Sequence, residues 1–319
     1  MENAVFLNAA KLNFDNRLDF SSITALTAFT TYAESSDQEI LERVKDQSII
    51  ITKELPLGRD LISQFPPSVK LICEAGTGYN NIDITAAREK NITVCNVPGY
   101  STEAVAQLVI TYILNFSASL FQRQTMVQQK NFDDFHKFVD LPHFELQGKT
   151  LGVIGGGGAI GRAVIKIALA LGMNILIYSR VPKPSDSPNV HSVSLEEMLK
   201  QSDFVTLHCP LTPETLHLID KDHLSLMKPS AFIINTSRGP IIKETDLIEA
   251  LQNGTIAGAA LDVQDPEPPE PTNPLFEMDN VILTPHIGWR RLESRQRLIK
   301  LMAVNIESFL QGKLINVVN

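Results

Sequence analysis

The stretch VIGGGGAIGR, residues 153–162, contains four consecutive glycines and a fifth glycine three positions further on. Each glycine adds backbone entropy that folding must overcome, so such a run indicates that another group comes close to the main chain. The apolar run TLGVI precedes the glycines, and the helical pattern GRAVIKIALALG follows them. A strand, a glycine-rich turn and a helix in this order match the fingerprint of a dinucleotide-binding loop.

Two registers of the fingerprint G-x-G-x-x-G compete, because the run has one glycine more than the pattern needs. We prefer the register that begins at Gly156 over the one that begins at Gly155, since only the former also ends on a glycine. Backbone amides at the start of the following helix would then hold the pyrophosphate. The predicted cofactor contacts in this loop are Gly156, Gly158, Ala159, Ile160 and Gly161.

The second strand of the unit predicts which dinucleotide binds. An NAD site usually carries Asp or Glu about 20 residues after the glycines, where the carboxylate binds the ribose 2′-hydroxyl. Here the strand NILIYSR ends in Ser179 and Arg180, with Lys183 close behind. A hydroxyl and a guanidinium can bind a 2′-phosphate through charge-assisted hydrogen bonds. The sequence therefore predicts NADP(H) as the preferred cofactor over NAD(H).

Short apolar runs alternate with helical patterns along the whole chain, which indicates an α/β fold with doubly wound parallel sheets. At 319 residues two domains are expected. We place one domain at residues 1–101 and 286–319 and the other at 102–285, with a ligand cleft between them. The predicted strands are Ser48–Thr52, Leu71–Glu74, Thr93–Asn96, Thr150–Ile154, Asn174–Tyr178, Phe204–His208, Phe232–Asn235, Ala257–Asp262 and Val281–Thr284. The predicted helices include Arg162–Leu171, Leu195–Lys200, Lys243–Gln252 and Leu292–Leu310.

Composition and charge argue against several classes of partner. The formal net charge of −8 disfavours nucleic acid and an acidic membrane surface. The apolar stretch from Ala104 to Phe121 is interrupted by polar residues and is expected to form a buried or interface helix rather than a membrane span. Cys73, Cys95 and Cys209 are widely spaced, which predicts a reducing cytoplasm and no thiolate metal site.

Three polar residues follow predicted strands at the edge where ligands bind in open α/β sheets. Arg238 follows AFIINTS, His286 follows VILTP, and Glu267 lies past GAALDV. A guanidinium can bind a carboxylate and polarise the neighbouring carbonyl, and an imidazole can protonate the forming alkoxide. A carboxylate beside the imidazole would fix its tautomer and favour its charged form. This set predicts catalytic residues for the reduction of a 2-oxo acid.

The blocks LHCPLTPET, INTSRGPII, AALDVQDPEPP and LTPHIGW resemble those of the D-isomer-specific 2-hydroxyacid dehydrogenase family, and GTGYNNIDITAAREKNITVCNVPGYSTEAVAQ resembles its N-terminal part. The similarity extends from about residue 45 to the end. The resemblance implies a flavodoxin-like substrate domain, a Rossmann coenzyme domain and a homodimer joined through the latter. That dimer would involve the helix from Ala104 and the arm at 132–148. By the same resemblance, the catalytic residues are Arg238, Glu267 and His286; the coenzyme contacts include His208, Cys209, Pro210, Thr236 and Asp262; and the substrate contacts are Thr77, Gly78, Arg238 and His286.

Within the family, TGYNNID and NVPGYST are most similar to glycerate dehydrogenases, also called hydroxypyruvate reductases, and to glyoxylate reductases. Glu267 disfavours the formate dehydrogenase branch, which has Gln there. A phosphoglycerate dehydrogenase and a non-catalytic dinucleotide sensor of the same fold remain as alternatives. Arg290 and Arg291 replace residues that are small in many relatives, and we expect them to be solvated rather than to line the substrate site.

Overall fold

The structure is a computed structural model that describes residues 1–132, 141–180 and 187–319. Lys183 and residues 133–140 of the predicted arm lie outside the described residues. The chain divides into two compact units. Unit 1 comprises Met1–Ser101 and Trp289–Asn319, and unit 2 comprises Thr102–Gly288.

Unit 1 is built on a five-stranded parallel sheet with the order β2-β1-β3-β4-β5. This is the flavodoxin-like strand order. Its strands are β1 (Asn3–Phe6), β2 (Ala28–Thr31), β3 (Ile49–Thr52), β4 (Leu71–Glu74) and β5 (Thr93–Cys95). Its helices are α1 (Ser21–Thr24), α2 (Asp37–Arg43), α3 (Arg59–Ser63), α4 (Ile84–Glu89) and the C-terminal α11 (Leu292–Leu310).

Unit 2 is built on a seven-stranded parallel sheet with the order β12-β11-β10-β9-β6-β7-β8. The strand order reverses between β6 and β9, as in a Rossmann sheet. Its strands are β6 (Thr150–Ile154), β7 (Asn174–Tyr178), β8 (Val190–Ser192), β9 (Phe204–Leu207), β10 (Phe232–Asn235), β11 (Gly258–Leu261) and β12 (Val281–Leu283). Its helices are α5 (Thr102–Ala118), α6 (Leu120–Gln128), α7 (Ala159–Ala170), α8 (Leu195–Gln201), α9 (Lys221–Leu226) and α10 (Glu244–Gln252).

Both sheets are buried on their two faces, because helices cover each side. Every residue of β3, β4, β9, β10 and β11 is buried. Strands buried on both faces have continuous apolar sequences instead of alternating apolar and polar residues. This is the pattern from which we predicted parallel sheets. The prediction of two doubly wound α/β domains is confirmed.

The return from unit 2 to unit 1 lies at Trp289, three residues after the predicted boundary at 286. Hydrogen bonds hold the intervening residues on unit 2. The amide of His286 donates to the Asp262 carbonyl, and the amides of Ile287 and Gly288 donate to the Asp262 carboxylate. The boundary is therefore set by one buried residue, Asp262, through its main chain and its side chain.

The apolar stretch from Ala104 to Phe121 does not form a single helix. Helix α5 ends at Ala118, and Ser119 adopts a left-handed conformation with φ of 48° before α6 begins. The two helices meet at an angle of 63°. Among the described residues, no helix taken alone is long and apolar enough to cross a membrane, although this bent pair reaches that length and composition together.

Candidate active site

The glycine run forms the connection between β6 and α7. Gly155 has φ of +83°, and a Cβ there would lie 2.7 Å from the His208 carbonyl oxygen. A Cβ on Gly161 would lie 2.8 Å from the Gly155 oxygen. Gly158 is the residue before α7 and its amide donates to the Gly155 carbonyl. Gly155, which lies outside our preferred register, therefore makes the tight turn, and Gly161 allows close packing of helix on strand.

Only one of the five glycines, Gly157, leaves open space beside the loop. A Cβ on Gly157 would meet nothing within 4 Å, whereas a Cβ on Gly156 would lie 2.9 Å from the Ile177 side chain. Gly158 and Ala159 at the start of α7 are exposed, and Ile160 is half-buried. This exposed start of α7 can therefore take an anionic group, which a helix N-terminus stabilises.

The end of β9 lies beside this turn, because β6 and β9 are neighbours. His208 is held through a contact of 3.0 Å between its Nε2 and the Thr206 hydroxyl, and its Nδ1 is buried without a hydrogen-bond partner. Burial lowers the pKa of His208 to about 3, so its imidazole is neutral. Burial also raises the pKa of the Cys209 thiol to about 11, which keeps that group protonated. Pro210 is exposed.

Unsatisfied polar atoms at this edge fit a bound dinucleotide. The Thr236 hydroxyl, at the end of β10, is also buried without a hydrogen-bond partner. Native proteins rarely leave buried polar atoms unpaired unless a ligand or water satisfies them. Thr236, His208 and the open glycine turn lie at the carboxyl ends of three consecutive strands of the sheet, β10, β9 and β6. This is the edge where doubly wound sheets bind nucleotides.

His286 and Glu267 form a hydrogen-bonded pair in unit 2. The His286 Nδ1 lies 2.9 Å from the Glu267 Oε2, and the Glu267 Oε1 accepts a hydrogen bond of 3.0 Å from the Gln264 amide. His286 follows β12 and has φ of 51°, an uncommon conformation for a residue with a side chain. Because Nδ1 is engaged by the carboxylate, Nε2 is the ring nitrogen left to exchange a proton with a substrate.

Electrostatics favour the charged form of the Glu267 carboxyl. Burial raises the pKa of the Glu267 carboxyl, but the hydrogen bond and charge of His286 outweigh burial, so that the pKa lies below its ordinary value. The positive charge of Arg238 lowers the same pKa further. The structure thus brings the three predicted catalytic side chains into one electrostatic cluster.

The Arg238 loop is fixed by its own short-range contacts. The Arg238 carbonyl accepts a hydrogen bond from the Asn235 side-chain amide. The Arg238 Nη1 donates to the Ser237 carbonyl at 2.7 Å. A Cβ on the next residue, Gly239, would lie 2.1 Å from the Gln264 carbonyl oxygen. Only glycine therefore lets the Arg238 loop pack against the segment that leads to Glu267.

Asp262 organises the backbone that carries His286. Its carboxylate accepts hydrogen bonds from the Thr284 hydroxyl at 2.5 Å and from two amides at 2.8 Å. Tyr112 extends the network, since its hydroxyl lies 2.6 Å from the Thr284 hydroxyl. Burial raises the pKa of Asp262, and the three donors partly offset this effect. The sequence predicted a coenzyme contact for Asp262 but missed this anchoring role, which depends on a turn that only the fold reveals.

The other residues considered in the sequence analysis lie just after strands or on the surface. Ser179 is half-buried and Arg180 exposed directly after β7, next to the glycine turn in strand order. In unit 1, Thr77 and Gly78 follow β4, where the Thr77 hydroxyl donates to the Val97 carbonyl at 3.0 Å. Arg290 and Arg291 are exposed.

Within residues 1–132, 141–180 and 187–319, no group of three or more His, Cys, Asp or Glu side chains is placed to hold a metal ion.

The fold and this edge of the sheet define a nucleotide-binding α/β oxidoreductase with a histidine–carboxylate pair. The sequence model described as "D-isomer specific 2-hydroxyacid dehydrogenase, NAD binding domain" matches residues 110–288. The chain belongs to the D-isomer-specific 2-hydroxyacid dehydrogenase family.

Individual relatives match along almost the whole chain. A hydroxypyruvate reductase of Blautia hydrogenotrophica is 39% identical over 308 residues, which cover 95% of each chain. A glycerate dehydrogenase of Methylorubrum extorquens is 37% identical over 285 residues, or 88% of each chain. The structure of an NADPH-dependent glyoxylate/hydroxypyruvate reductase from Sinorhizobium meliloti superposes with a TM-score of 0.86 at 27% identity and covers 100% of this chain and 98% of its own.

Proposed function

We propose that this protein reduces small 2-oxo acids of the hydroxypyruvate and glyoxylate type to D-2-hydroxy acids, and catalyses the reverse oxidation. The single observation that carries the proposal is the His286–Glu267 pair with the Arg238 charge beside it. The names of two similar relatives, a hydroxypyruvate reductase and a glycerate dehydrogenase, support the same substrate class.

Each side chain has a defined task in this proposal. A bound nicotinamide dinucleotide supplies the hydride to the carbonyl carbon. Arg238 binds the substrate carboxylate and polarises the carbonyl oxygen. His286 gives its Nε2 proton to that oxygen as charge develops there, and Glu267 stabilises the imidazolium before transfer and keeps Nδ1 protonated afterwards. In the oxidation direction the neutral imidazole accepts the proton instead.

Substrate carboxylate binding by the backbone of Thr77 and Gly78 is part of the same proposal. Both residues follow β4 at the carboxyl edge of the first sheet, where ligands bind in such folds.

A panel of 2-oxo acids tests the function. Hydroxypyruvate, glyoxylate, pyruvate, 2-ketoisocaproate, phenylpyruvate and phosphohydroxypyruvate are added in turn to the protein with NADPH, and loss of reduced coenzyme is followed by absorbance. Turnover with the smaller acids supports the proposal. Tight coenzyme binding without turnover of any of them would instead favour a dinucleotide sensor, and turnover restricted to a phosphorylated acid would favour a phosphoglycerate dehydrogenase.

NADP(H) is the proposed coenzyme in preference to NAD(H). No acidic side chain follows β7 directly; Ser179 and Arg180 stand there, and the exposed guanidinium can bind a 2′-phosphate. Replacing Arg180 by Ala should raise the KM for NADPH roughly tenfold to a hundredfold, because a charge-assisted hydrogen bond is lost. The KM for NADH should stay nearly constant. A wild-type protein that prefers NADH would overturn this assignment.

We infer a homodimer in solution, formed through unit 2. Its helices α5 and α6 carry large apolar side chains that are exposed in the single chain. These residues are Leu114, Leu120, Phe121 and Val127, with Phe132 beyond them. Clustered apolar exposure of this kind marks protein–protein contacts. Light scattering should give a dimer mass for the wild type and a monomer for Phe121→Asp, whereas Leu216→Asp, at an exposed site between β9 and α9, should remain dimeric. A monomeric wild type would contradict the inference.

We also assign the protein to the cytoplasm. Its three cysteines are free, and two of them are buried in the core of unit 1. Unpaired thiols suit a reducing compartment. Cell fractionation with detection of the protein tests this assignment.

A further inference from the structure

The segment that carries Glu267 is an exposed, proline-rich loop. It runs from Asp265 to Asn273, between β11 and the short 3-10 helix Pro274–Glu277, and four of its nine residues are proline. Proline lacks a backbone N–H, so these positions cannot donate hydrogen bonds to the rest of the unit. The Glu267 side chain is itself 37% exposed. Its position therefore depends on contacts made at the two ends of the loop.

Both ends of this loop are bound by one carboxylate, that of Glu244. Its Oε2 accepts a hydrogen bond from the Asp265 amide at 3.3 Å, and its Oε1 accepts one from the Asn273 side-chain amide at 2.7 Å. Asn273 in turn accepts a hydrogen bond from the amide of Leu275, a core residue that is only 2% exposed. Glu244 is half-buried at the first position of α10, so the end of a helix joins the two ends of the loop.

The start of the loop is fixed independently of Glu244. Gln264, the residue before the loop, is 8% exposed, and its amide donates to the Glu267 Oε1 at 3.0 Å. Its carbonyl packs against Gly239, where a Cβ would lie 2.1 Å from the carbonyl oxygen. The far end, at Asn273, is tied back to this fixed start through Glu244. The carboxylate thus closes the loop into a ring, which restricts the positions open to Glu267.

We propose that Glu244 is a positioning residue, which holds Glu267 against Nδ1 of His286 by clamping the two ends of its loop together. This inference rests on the proposed function, in which His286 donates the proton and Glu267 stabilises the charged ring. Two other charged groups act on this pair, Asp262 on His286 and Arg238 on Glu267. Both are held by contacts that do not involve Glu244, so opening the clamp acts on His286 through Glu267.

Exchange of the two hydrogen-bonding partners gives a matched set of variants. Glu244→Gln turns one acceptor oxygen into a donor, so one of the bonds to Asp265 and Asn273 is lost. Asn273→Asp sets a carboxylate against the Glu244 carboxylate. When both substitutions are combined, the glutamine donates to the aspartate and still accepts from Asp265, so the clamp closes again. Glu249→Gln is the control, because Glu249 lies on the same helix but pairs with Lys221 at 3.0 Å.

The pH dependence of hydroxypyruvate reduction by NADPH tests the proposal in the working enzyme. In Glu244→Gln and in Asn273→Asp the alkaline limb of the pH–rate profile, where the imidazole loses its proton, should move to lower pH by about half a unit to one unit. These substitutions change the local charge in opposite directions, so a common shift reports the loop rather than the charge itself. The combined variant should return to the wild-type limb, and Glu249→Gln should keep it. A wild-type limb in both single variants, or no recovery in the combined variant, would overturn the proposal.

An NMR titration of the His286 ring tests the clamp without turnover. Among the ring signals of the seven histidines, that of His286 is the one missing in His286→Ala. Its pH midpoint should fall in Glu244→Gln and Asn273→Asp and recover in the combined variant. Unchanged midpoints in both single variants would overturn the clamp, whichever acid the enzyme reduces. A wild type that reduces no 2-oxo acid but shows the expected midpoints would overturn the proposed function and leave the clamp standing.

Discussion

At the scale of single residues, the candidate chemistry depends on one imidazole and the groups around it. Glu267 engages Nδ1 of His286, and Asp262 holds the backbone on both sides of that ring. His286 adopts a left-handed conformation that costs free energy and persists only where surrounding contacts enforce it. Sequence reasoning identified the imidazole and its carboxylate because both follow strand ends. It could not identify the strained conformation, which arises from the Asp262 contacts.

The variant Glu267→Gln tests the electrostatic part of this arrangement. The Glu267 carboxyl has a lowered pKa, so it is ionised at neutral pH and loses its charge only in acid. Without that charge the imidazolium that donates the proton is less stable. The alkaline limb of the pH–rate profile for reduction should therefore move to lower pH by about one unit or more. Rates measured across the pH range check this, with Glu270→Gln in the same loop as the control. Identical profiles for the two variants would show that Glu267 does not act on the proton donor.

At the scale of secondary-structure elements, the approach of α7 to β6 depends on glycine at particular positions. Gly161→Ala places a Cβ 2.8 Å from backbone atoms of Gly155 and Gly156, which cannot move aside like a flexible side chain. We expect it to lower the free energy of unfolding of unit 2 by about 1–3 kcal/mol and to weaken coenzyme binding. Gly157→Ala meets no atom within 4 Å and should unfold like the wild type. Denaturant melts and coenzyme titrations check both; equal stability of the two variants would contradict the packing argument.

Prediction of elements from sequence succeeded where apolar runs are buried on both sides. The bounds of β4, β6, β7, β10 and α11 agree with the prediction. The prediction omitted β2 and β8, which are the edge strands of their sheets and consist mostly of exposed residues with little apolar signal. It also missed β1, a run of four residues at the chain start.

Two local features depend on tertiary contacts and left no trace in the sequence. The break at Ser119 occurs inside an apolar run, where the Ser119 hydroxyl donates to the Pro142 carbonyl at 2.7 Å. The tight turn falls on Gly155 rather than within our preferred register, because the His208 carbonyl from the adjacent strand passes close to it. Four adjacent glycines look alike in the sequence. Only the position of the His208 main chain in the fold shows that Gly155 is the one that cannot carry a side chain.

At the scale of the whole molecule, unit 1 is assembled from the two ends of the chain. Arg295 of α11 is 2% exposed and donates to both carboxylate oxygens of Asp15, at 2.9 and 2.6 Å, and to the Leu12 carbonyl at 3.0 Å. Its guanidinium also stacks over the Phe14 ring, 4.2 Å from the centroid. One buried cation therefore joins the N-terminal segment to the C-terminal helix.

This connection should make the stability of unit 1 sensitive to acid. The Arg295 hydrogen bond lowers the pKa of Asp15 to about 2 from an ordinary value of 3.8. A carboxyl with a lowered pKa stabilises the fold above its ordinary pKa and loses this contribution as the pH falls toward its native pKa. Asp15→Asn should therefore reduce Tm at neutral pH, and its difference from the wild type should shrink between about pH 4 and pH 2. Thermal melts at several pH values check this, and a difference independent of pH would contradict it.

The central claim is that His286, paired with Glu267, donates the proton while a nicotinamide coenzyme reduces a 2-oxo acid. The most direct measurement is the initial rate of NADPH oxidation with hydroxypyruvate for the wild type, His286→Ala and the control His223→Ala. His223 also pairs with a carboxylate, at 2.7 Å from Asp220, but lies in α9. We predict that only His286→Ala loses roughly 10²–10⁴-fold in rate, with its affinity for NADPH unchanged. A wild-type rate in His286→Ala, or an equal loss in both variants, would contradict the claim.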